Sequence, residues 1–181
     1  MDKKEKLRKW LWLGLDETTA KKYQRKLSAE NVRIIRNESV IIAGIGALYT
    51  ICMLVLSHVY VKSLVCIIGA AWMFCIFLYT HSLLKKQDEI SKQETYASIG
   101  SFMICAYAVS IYVGTIGAGN ELAVTIVSLF VFLPTNFDLL PIYNLHITIV
   151  ALAMFFVSSY ITKTPDKFMY DVMDGILAAG I

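Results

Sequence analysis

The acids best placed for chemistry in this chain are Asp171 and Asp174. They stand three residues apart at the start of the last apolar run, on one helical face. Acids near or inside a membrane boundary usually face the bundle interior or water. The pair therefore predicts a polar pocket or a proton- or ligand-responsive contact that couples a signal. The plainer reading is two helix-start acids favoured by the macrodipole, with Lys163 or Lys167 nearby. Glu121, which opens an earlier apolar run, takes that plainer reading. His58, His81 and His146 are candidate metal or haem ligands. Only His81 and His146 fall at matched depth, as a haem held between two helices requires. Neither has a visible partner to orient its second ring nitrogen, so interfacial histidine is the simpler account. No metal site and no cofactor is expected.

Cys52, Cys66, Cys75 and Cys105 all lie inside apolar runs without Cys-x-x-Cys spacing, and read as small hydrophobes. There is no Gly-rich phosphate loop, no zinc spacing and no nucleophile–base set on a soluble scaffold. No catalytic residue is assigned, so enzyme activity would have to come from a further domain.

What must position these residues is a membrane bundle. The chain is 57% hydrophobic and 17% charged, with a mean hydropathy of +0.60. Its apolar residues come in blocks of span length, the mark of an all-α polytopic bundle. Backbone in lipid must satisfy its own hydrogen bonds, which favours helices, and the alternation of a membrane barrel is missing.

The division is residues 1–38, a basic leader and juxtamembrane helix, and residues 39–181, a transmembrane domain. In the leader, a basic cluster precedes Trp10, Leu11, Trp12, Leu13 and Leu15, which suits either a membrane-surface segment or a solvated leader. Asp16 can cap a helix that lies on the bilayer or pairs with a partner. Basic residues beside a span are explained by membrane topology, so nucleic acid is not an expected partner. Six spans are predicted: 39–60, 63–84, 96–116, 121–133, 145–161, and a sixth from about 168. The run from Phe168 to Ile181 reaches only ~21 Å, against the ~30 Å of a bilayer core. The sixth helix thus reads as cut short.

Tyrosines at predicted span ends form an aromatic belt, and small residues such as Gly44, Gly46, Gly69 and Ala70 favour close helix packing.

Three stretches carry a family resemblance. The first is Trp10-Leu-Trp-Leu-Gly-Leu15, followed by Glu30-Asn31. The second is the turn with Pro134, Phe137 and Pro141. The third is Lys163-x-Pro165 with Asp171-x-x-Asp174. Together they resemble the amino-terminal six-span region of Firmicutes-type diguanylate cyclases, whose GGDEF domain follows the last span. The resemblance implies a sensory or anchoring module for a cytoplasmic output domain. Rotation or tilt of the last helix would be a physical relay to such a domain, and the expected partners are the lipid bilayer and a second copy, as a homodimer through the transmembrane helices. The chain departs from the pattern at Asp138-Leu-Leu, where an acid–Arg pair is expected, and at Asp174, where Asn is expected. It has no GGDEF motif of its own. The alternative is a free-standing small multi-pass protein, such as a transporter- or channel-like subunit. The sequence names no ligand.

Orientation follows from basic residues. Residues 1–38 hold eleven Lys and Arg against six Asp and Glu. With the amino terminus in the cytoplasm, fourteen Lys and Arg lie inside and three outside. A reporter active only in the cytoplasm should therefore work when fused within residues 85–92 and fail within 117–120. The reverse pattern would overturn the orientation.

Overall fold

The computed structural model describes residues 17–57, 60–85, 90–123, 129, 130, 133, 137 and 141–180. Among them there are helices and no strands: α1 (Glu17–Cys52), α2 (Tyr60–Lys85), α3 (Lys92–Gly114), α4 (Pro141–Thr162) and α5 (Pro165–Ala179). A π-helical turn, Met53–Ser57, extends α1. The Trp10–Leu15 leader, His58 and Pro134 lie outside the described residues.

Among the described residues, four helices are long and apolar enough to cross a membrane, at Ser28–Val55, Tyr60–Lys85, Gln93–Gly114 and Leu145–Thr162. Their outer faces carry large apolar side chains such as Leu48, Val61 and Ile161, the last 74% exposed. Such continuous apolar surface is stable only against lipid, and the chain is a multi-pass membrane protein. Of the six spans predicted, the structure bears out four. Most of 121–133 falls outside the described residues; 121–123 is not helical, whereas 129, 130 and 133 are. The last helix, α5, has 15 residues. At ~1.5 Å per residue that is too short to cross.

The juxtamembrane helix and the first span form one continuous helix. The polar interruption at Glu30 and Asn31 does not break it, because Asn31 turns inward with Ser28, Val32 and Ile35, all buried. Helix α3 starts at Lys92, earlier than expected. Ser91 caps it through a reciprocal box: the Glu94 amide donates to Ser91 Oγ (3.2 Å), and the Ser91 amide donates to Glu94 Oε2 (2.9 Å). Pro141 opens α4 and Pro165 opens α5, where a missing N–H costs nothing.

Hydroxyls inside the spans bond back one turn. Thr50 donates to the Gly46 carbonyl and Thr80 to that of Ile76. The buried core runs through all the layers, from Ile35 and Ala43 on α1, through Met73 on α2 and Phe102 and Tyr107 on α3, to Leu152 and Phe155 on α4. Phe130 links Tyr107 to Phe155, with ring centroids 5.3 and 6.0 Å away.

Close approach of α2 and α3 depends on Gly69. A Cβ there would lie 2.6 Å from Val109 Cγ2, and a β-branched side chain has little freedom to yield. Across the same interface Trp72 Nε1 donates to Ser101 Oγ at 3.0 Å. Gly69→Ala should cost about 1–2 kcal/mol, overpacking outweighing the gain in helix propensity. Adding Val109→Ala should recover part of that loss, as thermal unfolding in detergent micelles would read. Simple additivity of the two changes would reject the clash as the cause.

Candidate functional site

The polar centre of the molecule is the corner between α4 and α5. Ser159 and Lys163 stand four residues apart, one turn above each other at the end of α4. Only Lys163 and Thr164 connect α4 to α5. This short connection returns α5 against α4, and Gly175 makes the fit. A Cβ at 175 would meet Phe156 at 3.0 Å, Phe155 at 3.3 Å and Leu152 at 3.4 Å. The close packing brings Asp171, one turn before Gly175, against the end of α4.

Lys163 Nζ lies 2.7 Å from Asp171 Oδ2, and the two side chains are 0% and 1% exposed. Ser159 Oγ donates to the same oxygen at 2.6 Å. The Ala123 amide donates to Asp171 Oδ1 at 3.2 Å. Lys163 Nζ also donates to the Glu121 carbonyl at 2.6 Å. Thus the carboxylate accepts three hydrogen bonds, and the ammonium is shared between an acid and a backbone oxygen. Desolvating two ions is expensive, and such a pair is tolerable only with its remaining lone pairs and protons satisfied. Charge-assisted bonds of this kind are roughly twice as strong as neutral ones.

The segment between α3 and α4 supplies the other wall. Thr115 Oγ1 donates to the Ile111 carbonyl (2.6 Å) and lies 2.7 Å from Ser158 Oγ, tying the end of α3 to α4. Gly119 turns the chain at φ +63°, a left-handed conformation that glycine adopts freely. Asn120 Oδ1 then accepts from both the amide and the hydroxyl of Thr164, at 3.1 and 3.0 Å.

Of the paired acids, Asp171 is buried and Asp174 is exposed. The inward stripe of α5 is narrow, and it runs through Asp171 and Gly175. Glu121 is exposed, and it is its carbonyl, not its carboxylate, that takes part. Of the turn residues, Phe137 is buried edge-on against Phe102, centroids 5.6 Å apart; Pro141 is the first residue of α4. His81 is exposed and stacks on Phe77, and His146 is also exposed. Cys66 and Cys105 are buried; all four cysteines are free.

The sequence places Lys163 near the acids and in the Lys163-x-Pro165 stretch but does not pair it with Asp171, and it gives no role to Ser159, Asn120 or Thr164. One signal was present: a hydroxyl and a lysine four apart at the end of an apolar run, before a proline and an acid.

In this arrangement Ser159, Lys163 and Asp171 are buried and bond to one another and to the backbone at 121 and 123. It holds three segments in register. No protein-family model, no curated protein and no solved structure matches the chain.

Lys163→Met strands the buried carboxylate and should cost about 3–5 kcal/mol. Lys163→Met with Asp171→Asn removes both charges; the new amide oxygen still accepts from the Ala123 amide, and its NH2 donates to Ser159 Oγ in place of the hydroxyl's own donation. The double variant should regain at least half of the loss in thermal unfolding. A double variant as unstable as the single one would reject the stranded charge as the cause.

Proposed function

We propose that this chain is the membrane-embedded sensory and anchoring module of a signalling protein, seated in the cell membrane with its amino terminus in the cytoplasm. On this reading it crosses six times, residues 121–133 forming the fourth span and α5 beginning the sixth. The output is a cytoplasmic diguanylate cyclase domain, brought together in pairs through the transmembrane helices. The observation that carries the reading is the joint at α5. Lys163, Pro165 and Asp171, which carry the third stretch of the resemblance, are the residues that build that joint.

A buried pair at the root of a helix suits transmission. Tilting or rotating α5 changes the distance between two opposite charges in a medium of low polarity, so intermediate positions are penalised. A signal that favours one position of α5 then selects between discrete arrangements of the output domains. Asp174, exposed on the next turn, is free to meet a second helix or a partner chain.

The test is the reading frame of the intact gene past the codon for Ile181. It should encode further apolar residues, a charged linker and a GGDEF domain. Full-length protein carrying Lys163→Met should then make cyclic di-GMP at an altered rate. An in-frame stop would favour the free-standing membrane protein, and a frame without a cyclase motif would remove the proposed output.

A further inference from the structure

Helix α5 begins without a cap of its own. Thr164 occupies the N-cap position, but its side chain makes no capping bond to the helix. Its hydroxyl and its amide are both turned to Asn120 Oδ1 instead. The first turn of α5 thus takes its direction from residues outside the helix. Within α5, the carboxylate of Asp171 reaches the same outside segment through the Ala123 amide, and Lys163 reaches it through the Glu121 carbonyl. Four hydrogen bonds therefore run from residues 120–123 to the α4–α5 joint and α5. Among the described helices, the packing of α5 is against α4.

The segment is two-faced. Its backbone polar groups at 121 and 123 point inward to the ion pair, while Asn120, Glu121 and Leu122 are exposed. We propose that residues 119–123 form a steering turn. Its displacement moves α5 through the Asn120–Thr164 clamp and the Lys163–Asp171 pair. Gly119 is exposed, and apart from its two chain neighbours no described residue has an atom within 4 Å of where a Cβ would stand, so no described residue packs on that point of the turn. This steering is a property of the chain itself and stands apart from any output domain.

Asn120 is the residue to test. It lies on the exposed side and outside the buried pair, so its removal leaves the core intact. The measurement is hydrogen exchange of the whole chain in detergent micelles, followed by mass spectrometry. Asn120→Ala should raise exchange over residues 165–176 about tenfold, the effect of losing a clamp of ordinary hydrogen bonds, with α1 and α2 unchanged. Asn120→Asp keeps the accepting oxygen and should leave α5 close to the parent chain. Unchanged exchange in Asn120→Ala would overturn the proposal, because packing on α4 alone would then hold α5. Equal loosening of every helix would also overturn it, as would an Asn120→Asp variant as loose as Asn120→Ala.

Discussion

The charge of Lys163 cannot leave the protein interior without stranding Asp171, and the packing around the α4–α5 corner follows from that constraint. Ser159 sits one turn before Lys163 and completes the carboxylate's coordination. Ala123 has to bring its amide to the other oxygen, and Glu121 its carbonyl to the ammonium. An ion pair satisfied by only one segment would leave buried lone pairs or protons unpaired, at a cost of about 1–3 kcal/mol or more per group. The corner therefore ties residues 120–123 to α4 and α5 together.

Lipid makes this constraint matter more than it would in a soluble fold. In water, apolar faces are driven together; in a bilayer, lipid tails solvate them about as well as another helix does. Association then depends on close fit and on polar contacts. Gly69 and Gly175 provide fit: a Cβ at 69 would collide with Val109, and one at 175 would press tightly on Phe156 and Phe155. Contacts such as Trp72–Ser101 and Thr115–Ser158 provide the polar part. The aromatic chain from Tyr107 through Phe130 to Phe155 fills the space between α3 and α4.

The spans themselves were legible because a bilayer imposes both length and composition on a helix. The third span and the fifth end within a few residues of their hydropathy limits. The capping box was legible in principle, since Ser91-x-x-Glu94 stands just ahead of an apolar run. The unbroken α1 was not, because Asn31 and Ser28 are polar residues on a packed face, and hydropathy cannot tell an inward polar side chain from the end of a helix. Nor was the division between Asp171 and Asp174. Residues three apart differ by about 60° around a helix, which is enough to put one inside and one outside when the inward stripe is narrow. Gly175 was the available clue, since it marks the line along which α5 approaches α4. The backbone partners of Lys163 and Asp171 come from a distant turn, and no side-chain pattern encodes them.

A short helix in a membrane protein has few apolar contacts with which to define its own position. Among the described helices, the wall that α5 packs on is α4, and α5 presents Met169, Met173 and Leu177 outward. Packing against that wall tolerates sliding and rotation, because one apolar contact in lipid exchanges for another at little cost. An ion pair does not slide. Moving Asp171 by one residue along the axis, ~1.5 Å, or by ~100° around it would take the carboxylate away from three donors together. The charges therefore supply positional definition that the apolar surface lacks, even where their net contribution to stability is small. That division of labour, with glycine setting the distance and charge setting the register, accounts for a lysine and an aspartate buried in a chain with so few charged residues.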